Sequence, residues 1–347
     1  MKSLYDYNYE QIQQLAEDLG WKKYRGHQIF QWLYRKRVKS IDDMSDLSKD
    51  TRNTLNESFI VSPLNLASKQ VSSDGTIKYL FELNDKALVE TVLMVYDYGK
   101  SVCVSSQVGC NMGCKFCASG LLKKQRNLTS AEMVAQILHI QQDLDEKDER
   151  ISHIVVMGTG EPFDNYENVM NFLATVNHDR GLGIGGRHIT VSTCGLCDKI
   201  RRFSDENVQY NLAISLHASN DMLREEMMPI NKAFSINKIM ESLQYYFSKN
   251  NRRVTFEYIL LKDINDKDEH VNQLAKLLKG MNAYINLIPY NSVDEHGYKG
   301  VKYHEAMKFY DKLMKKGVRC TIRKEHGADI DAACGQLRAN EMKRRGL

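Results

Sequence analysis

Three cysteines lie close together in one short segment of the sequence. Residues 105–117 read SSQVGCNMGCKFC and place Cys110, Cys114 and Cys117 at C-x3-C-x2-C spacing, directly after a predicted strand. Three thiolates can bind three irons of a 4Fe-4S cubane and leave the fourth iron open for a substrate, whereas a closed structural metal site takes four protein ligands. Gly109 and Gly113 let the backbone turn around such a bulky group. The segment therefore predicts an iron–sulfur cluster with an open coordination position.

A structural zinc site is the alternative interpretation of these thiols. Cys194 and Cys197, in the segment CGLC, could complete it, because C-x2-C pairs are typical of zinc sites. The C-x3-C-x2-C spacing is less typical of zinc, so spacing alone favours the cluster and leaves zinc open. Eight cysteines in 347 residues are too few for a disulfide scaffold and fit a reducing compartment.

Four further residues could take part in chemistry. Gly160 and Glu161 follow a predicted strand, where a carboxylate could accept a hydrogen bond from an α-ammonium group, although an isolated Gly-Glu-Pro step is more typical of a turn. Cys103 begins the strand before the cysteine segment, and Cys334 lies in the small-residue segment AACGQ. Such cysteines, taken alone, are more often buried in a core.

The elements that must position these residues fall into three parts. Residues 1–65 show helical apolar spacing over 9–19, 27–34 and 47–59, which predicts a small helical domain. Residues 66–98 contain two β-like runs, 77–83 and 88–96, which predict a linking hairpin. From residue 99 to 347, strands and helices alternate in about six βα units. Such units form an open doubly wound sheet or a full or partial barrel, and periodicity alone does not separate them.

The chain resembles the radical S-adenosylmethionine superfamily, whose hallmark is a C-x3-C-x-aromatic-C loop, here with Phe116 before the last cysteine. Within it, the resemblance is to the RlmN/Cfr adenine methyltransferases, and it covers nearly the whole chain in order. The matching segments are 103–110 (CVSSQVGC), 157–162 (MGTGEP), 188–193 (HITVST), 215–217 (SLH), 228–231 (MPIN), 286–291 (NLIPYN) and 329–336 (DIDAACGQ). The resemblance implies a partial (β/α)6 TIM-like barrel of the radical SAM type, residues 99–347, with a small N-terminal helical domain.

The resemblance also implies which residues form the site. Cys110, Cys114 and Cys117 would hold the 4Fe-4S cluster. Gly160 and Glu161 would hold the amino end of S-adenosylmethionine, and the rest of its site would be lined by Ser192, Ser215, Leu216, His217 and Asn291. The catalytic residues would be Cys334, Cys103 and Glu90, and Glu90 would otherwise be interpreted as a solvent-facing residue of an alternating strand.

A ping-pong reaction with two molecules of S-adenosylmethionine per turnover follows from the same resemblance. The Cys334 thiolate takes a methyl group from the first molecule by nucleophilic displacement. The second is reductively cleaved to a 5′-deoxyadenosyl radical, which abstracts hydrogen from the S-methyl group, and the methylene radical adds to an electron-poor adenine carbon. Glu90 removes the ring proton as a general base, and Cys103 attacks Cys334 to form a disulfide and release the methylated RNA.

Basic residues are concentrated in two stretches, although the net charge is only +4. Residues 21–39 contain no acid, and their aromatic residues Trp21, Tyr24, Phe30, Trp32 and Tyr34 alternate with Lys22, Lys23, Arg25, Arg35, Lys36, Arg37 and Lys39. This pattern suits RNA phosphate and base contacts, and it also suits a solvated helix face with Phe30 and Trp32 in the core. The second stretch, beside the cysteine segment, carries Lys115, Lys123, Lys124 and Arg126.

The partners expected from the resemblance are 23S rRNA in the peptidyl transferase centre and tRNA next to the anticodon. The target adenine would be flipped or unpaired. A flavodoxin- or ferredoxin-type protein would donate electrons to a monomeric enzyme. No apolar run approaches the ~20 residues that span a bilayer, and the start lacks an apolar secretion signal, so we expect a cytoplasmic protein without a membrane partner.

Two alternatives stay open. One is a Cfr-type methyltransferase that modifies carbon 8 of the same rRNA adenine and confers antibiotic resistance; Pro162 and the long N-terminal basic helix favour carbon 2. The other is a zinc-bearing RNA-binding protein without catalytic activity.

Overall fold

The computed structural model describes residues 1–121, 123–290 and 297–324, together with 326, 327, 329, 330, 337, 338, 341 and 344. Asn291 and Cys334, which the resemblance assigns to the site, lie outside the described residues. In chain order the described helices and strands are β1 (Lys2–Ser3), α1 (Tyr9–Asp18), α2 (Tyr24–Tyr34), α3 (Lys49–Ser58), β2 (Phe59–Ile60), β3 (Leu64–Val71), β4 (Ile77–Leu83), β5 (Leu88–Tyr96), β6 (Gly99–Cys103), β7 (Gln107–Val108), β8 (Arg126–Asn127), α4 (Ser130–Asp145), β9 (Ile151–Val156), α5 (Tyr166–Asn177), β10 (Ile189–Thr193), α6 (Cys197–Asp205), β11 (Asn211–Ser215), α7 (Asp221–Met227), α8 (Ile236–Lys249), β12 (Val254–Leu260), α9 (Asp268–Leu277), β13 (Ala283–Pro289), α10 (Tyr303–Lys315) and β14 (Cys320–Ile322).

The chain divides into two compact units. The first consists of Met1–Val108, Arg126–Thr159 and Asn165–Ile189, and the second of Gly109–Gln125, Gly160–Asp164 and Thr190–Leu347. The three cysteines of the 105–117 segment therefore belong to the second unit. Within the described residues, no helix is both long enough and apolar enough to cross a membrane.

Caps and buried apolar faces hold the N-terminal helices of the first unit. The Asn8 side chain accepts the backbone N–H of Gln11, and the Gln11 side chain accepts that of Asn8, so α1 begins with a capping box. α2 buries Phe30 and Leu33. The Asn8 amide also donates to Asn171 of α5 at 2.9 Å, which joins α1 to a helix of the same unit.

The sheet of the first unit contains the strands β3-β4-β5-β6-β9 in that order. β3 to β6 pair antiparallel, and β6 and β9 pair parallel. The predicted hairpin is confirmed, since β4 and β5 pair with the predicted bounds and Lys86 in their turn has a φ of 69°. The sequence pattern misses β3, because most of its side chains are exposed and an apolar run is absent from it.

In the second unit, β10 to β14 form parallel neighbours in chain order, with α6 to α10 between them. The predicted alternation of strands and helices is confirmed here. The pattern does not predict α6 or α7, because both are short, α7 having only 7 residues. Parallel strands end at the same edge of a sheet, so the residues at and after the carboxyl ends of β10, β11 and β12 are neighbours.

Candidate active site

The cysteine loop, residues 109–117, has at two points a backbone conformation that glycine adopts more readily than other residues. Gly109 and Gly113 have φ angles of 79° and 69°, in the left-handed region. A Cβ on Gly113 would lie 3.7 Å from Cγ of Pro229, and the Lys115 N–H donates to the Met227 carbonyl at 2.9 Å. Residues at and after the end of α7 therefore fix the loop in place.

The three thiols of the loop are partly buried and unoxidised. Cys114 and Cys117 pack against an apolar cluster formed by Phe116, Cys194, Met227, Met228, Ile259, Leu261 and Tyr290. Burial raises the pKa of the Cys110 thiol to about 11. A positively charged metal centre would reverse this by stabilising the thiolate, so the donor set suits an iron–sulfur cluster in apolar surroundings.

The zinc alternative finds less support in these contacts. The Cys197 thiol donates to the Gly195 carbonyl at 3.5 Å, and Cys194 lies in the apolar cluster. Burial raises the pKa of Cys194, so this thiol is neutral.

Glu161 is buried and held by two backbone donors. Gly160 before it has a φ of 111°, a conformation that side-chain-bearing residues rarely adopt. One carboxylate oxygen accepts the Cys194 N–H at 2.8 Å, and the other accepts the Phe163 N–H at 3.0 Å. Burial raises the pKa of Glu161. The side chains of Thr193 and Cys194 also form hydrogen bonds with this carboxylate.

The ends of β10 and β11 bring together four more of the expected site residues. The hydroxyls of Ser192 and Ser215 lie 3.2 Å apart. The Leu216 N–H donates to the Glu257 carbonyl at 3.1 Å. His217 has a φ of 57°, which is uncommon outside glycine and marks a strained position.

His217 is a neutral imidazole in this environment. Its Nδ1 accepts the backbone N–H of Ile259 at 3.1 Å, which assigns the ring proton to Nε2. Burial, and next the charge of Arg224, lower the pKa of His217 to about 3. The ring packs edge-to-face on Phe116 with the centroids 4.9 Å apart, so His217 connects the strand ends to the cysteine loop.

Sequence reasoning misses two polar residues of the second unit. Glu257 is buried in β12, lies in register with Ser215 and Asn286, and accepts from the Asn286 amide at 2.8 Å. Its only sequence signal is that it is the one acid in the strand VTFEYIL. Arg224 is fully buried in α7, and no pattern in the sequence identifies it.

Glu90 and Cys103 lie in the first unit. Glu90 is buried, not solvent-facing, and its carboxylate lies 3.1 Å from the ammonium of Lys78, which is also buried. Lys78 and Cys103 are both register partners of Val92, and Glu90 precedes Val92 by two residues. Since opposite residues of antiparallel strands share a face, Lys78, Glu90 and Cys103 lie on one face of the sheet.

The basic stretch 21–39 contains fewer surface aromatics than its sequence suggests. Phe30, Trp32 and Tyr34 are buried, which confirms the interpretation that places Phe30 and Trp32 in the core and excludes all three from stacking on RNA bases. Tyr24 remains exposed, as do Lys22, Lys23, Arg35, Lys36 and Lys39. In the second stretch, Lys124 pairs with Asp164, and Arg126 pairs with Asp85 and Glu132.

Comparison with known proteins places this arrangement among methyltransferases. The family models that match are "Radical SAM superfamily" over residues 104–275 and "Ribosomal RNA large subunit methyltransferase N-terminal domain" over residues 2–61. A "Probable dual-specificity RNA methyltransferase RlmN" of Streptococcus pneumoniae serotype 19F (strain G54) is 56% identical over 347 residues, covering 99% of this chain and 96% of the relative. A protein of the same name from Enterococcus faecalis (strain ATCC 700802 / V583) is 56% identical over 348 residues, covering 99% and 98%.

Among solved structures, a radical SAM methyltransferase from Sphaerobacter thermophilus matches with a TM-score of 0.93 and 39% identity, over 97% of this chain and 99% of that one. Together with the family models, this match confirms the predicted fold class, an α/β fold of the radical SAM type with a small N-terminal helical region.

Proposed function

Because the chain belongs to the RlmN family of radical S-adenosylmethionine RNA methyltransferases, we propose that it methylates carbon 2 of adenine in two RNAs. These are 23S rRNA, in the peptidyl transferase centre, and tRNA, next to the anticodon. The observation that carries the proposal is 56% identity over 99% of the chain to proteins named dual-specificity RNA methyltransferases. The match of residues 2–61 to a ribosomal RNA methyltransferase domain supports rRNA as one substrate.

Cys110, Cys114 and Cys117 hold the 4Fe-4S cluster in this proposal, and two molecules of S-adenosylmethionine are used per turnover. When bound, the cluster supplies an electron to S-adenosylmethionine and so provides the radical chemistry that a poorly nucleophilic ring carbon requires. Glu161 accepts from the α-ammonium group, beside Gly160. Ser192, Ser215, Leu216, His217 and Asn291 line the remainder of the S-adenosylmethionine site.

Three residues of the chain carry the covalent and proton-transfer steps. The Cys334 thiolate displaces the methyl group from the sulfonium of S-adenosylmethionine, which forms a carbon–sulfur bond and breaks another. Glu90 accepts the proton that the adenine ring loses. The Cys103 thiolate then attacks the sulfur of Cys334, which forms a disulfide and breaks the bond between that sulfur and the transferred carbon. This carbon takes up a proton and becomes the methyl group of the released RNA. The shared face of Glu90 and Cys103 supports their action on one substrate.

Residues 1–65 act as the RNA-binding accessory domain in this proposal, residues 66–98 as the link and residues 99–347 as the catalytic core. Exposed lysines and arginines of the 21–39 stretch contact phosphates. The enzyme works as a cytoplasmic monomer and receives electrons from a flavodoxin- or ferredoxin-type protein.

The cofactor is tested by anaerobic purification with iron, sulfide and zinc analysis. We compare the wild type with a Cys110→Ala, Cys114→Ala, Cys117→Ala triple variant and with Cys320→Ala, a buried cysteine of β14, as the matched control. About four irons and four sulfides per chain are expected in the wild type and the control and are lost in the triple variant. Zinc without iron in the wild type would replace this proposal with the RNA-binding alternative.

The product is tested by mass analysis of adenosine from treated 23S rRNA and tRNA. We expect 2-methyladenosine in both RNAs and none with Cys334→Ala. An 8-methyl product alone would assign the chain to the Cfr-type activity.

A further inference from the structure

Arg224 is a buried cation whose five N–H groups all face oxygen atoms. Nε donates to the Leu216 carbonyl at 3.2 Å. Nη1 donates to the Asn231 side chain at 2.9 Å and to the Phe234 carbonyl at 3.1 Å. Nη2 donates to the carbonyls of Cys194 and Ser215. No donor is left for a ligand, so Arg224 acts on the site through the backbone that it holds.

The carbonyls that Arg224 binds lie at the carboxyl ends of two neighbouring strands. Cys194 follows β10 directly, Ser215 ends β11, and Leu216 comes next. Cys194 also donates its N–H to Glu161 at 2.8 Å, so one residue connects the Arg224 guanidinium to the carboxylate expected to bind an ammonium group. Ser215 and Leu216 belong to the expected S-adenosylmethionine site. A single side chain therefore fixes the backbone on which several expected ligand contacts depend.

The charge of Arg224 is not cancelled by its hydrogen-bond partners. All five are neutral oxygens. Among the described residues no carboxylate forms an ion pair with the guanidinium, and the Asp221 carboxylate acts on its charge from beyond ion-pair distance. α7, which carries Arg224, ends at Met227, and the Met227 carbonyl accepts the Lys115 N–H of the cysteine loop. Met227 and Cys194 belong to the apolar cluster against which Cys114 and Cys117 pack. Charges interact strongly in such surroundings, where little water screens them.

We propose that Arg224 is a positioning residue that holds the ends of β10 and β11 for S-adenosylmethionine binding and whose uncancelled charge favours the reduced form of the cluster. The inference rests on the proposed function, because it assumes a cluster on Cys110, Cys114 and Cys117. Reduction adds one negative charge to the cluster, and a fixed positive charge nearby stabilises that state relative to the oxidised one.

Two variants separate the two effects. R224K keeps the charge but offers one ammonium group, which cannot reach the carbonyls of both strands. R224Q loses both the charge and the hydrogen bonds to these carbonyls. Cluster-loaded protein is used to measure S-adenosylmethionine affinity by calorimetry and the ratio of reduced to oxidised cluster by a redox titration followed by electron paramagnetic resonance. We expect the dissociation constant to rise at least tenfold in both variants. At a fixed electrode potential, the ratio of reduced to oxidised cluster falls at least tenfold in R224Q alone. A tenfold fall corresponds to a reduction potential that is lower by 59 mV for a one-electron couple.

R252Q is the matched control. Arg252 precedes β12, at the amino ends of the strands, and donates to the Asn211 side chain at 2.7 Å. Neither the dissociation constant of S-adenosylmethionine nor the ratio of reduced to oxidised cluster should therefore change in this variant. Iron content and thermal unfolding show whether each variant is folded, and R224K carries the test if R224Q does not fold. Wild-type affinity in a folded R224K overturns the positioning role, and an equal fall of the ratio in both variants overturns the role of the charge. A wild type without a cluster refutes the proposed function instead.

Discussion

The ammonium of Lys78 lies 3.1 Å from the carboxylate of Glu90, and both side chains are buried in the sheet of the first unit. The pair shares its face with Cys103, because Lys78 and Cys103 are both register partners of Val92. A buried ion pair contributes little net stability, yet removing one partner leaves an uncompensated charge in the interior. Lys78 therefore keeps Glu90 in place in the interior.

Replacing Lys78 by Met should lower the free energy of unfolding by ~3–5 kcal/mol, because the buried Glu90 carboxylate loses the ammonium group of Lys78. Urea unfolding measures the loss. Lys86→Met is the control, since Lys86 pairs with Glu82 on the same hairpin but is exposed, and a change of at most ~1 kcal/mol is expected there. A Lys78→Met, Glu90→Leu double variant should regain part of the loss. Equal effects of the two lysine substitutions would contradict the buried pairing.

Replacing Glu161 by Gln should weaken S-adenosylmethionine binding by about 10- to 100-fold. The neutral amide would lose the charge-assisted hydrogen bond to the ammonium group of the ligand, and a hydrogen bond to a charged group contributes ~1.5–3 kcal/mol. Calorimetry on the cluster-loaded protein measures the affinity. Asp164→Asn, which affects the partly exposed pair with Lys124, should leave the affinity unchanged. Wild-type affinity in the Gln variant would exclude Glu161 from the ammonium site.

Replacing Cys194 by Ser should leave the iron content unchanged, because this residue lies outside the C-x3-C-x2-C loop and its side chain belongs to the buried apolar cluster. Cys114→Ser is the comparison and should lose most of its iron. Iron analysis and the visible spectrum after anaerobic reconstitution distinguish the two. Equal loss in both variants would make Cys194 a ligand.

Stability should depend on His217 between pH 6.5 and about 3. The ordinary pKa of 6.5 applies in the unfolded chain, while burial lowers the folded pKa to about 3. The unfolded state therefore binds more protons in this range, and the stability present above pH 6.5 is lost as the pH falls. Between pH 7.5 and 5.5, cluster-free wild type should lose ~1.4 kcal/mol more than His217→Gln in urea unfolding. An equal loss of unfolding free energy in the two proteins over this pH range would show that folding does not lower the pKa of His217.

The sequence by itself determined those features of this protein that depend on residues close to one another along the chain. The cysteine spacing lies within one loop, and the hairpin 77–96 and the alternation of strands and helices follow from local apolar periodicity and turn residues. The family and fold class also followed from ordered segments of the sequence. The roles of Cys334 and Asn291 rest on that resemblance alone.

Only the tertiary structure decided which side chains become buried and which groups they meet. Arg224 binds carbonyls of residues 194, 215 and 216, and Lys78 meets Glu90 across two strands; pairings between distant segments leave no periodic signal in a sequence. The same reason explains why the sequence left open whether Phe30 and Trp32 contact RNA bases or lie in the core, where the structure buries both. Local spacing predicts a metal-binding role for the cysteine loop, whereas folding sets the charges and backbone contacts around it.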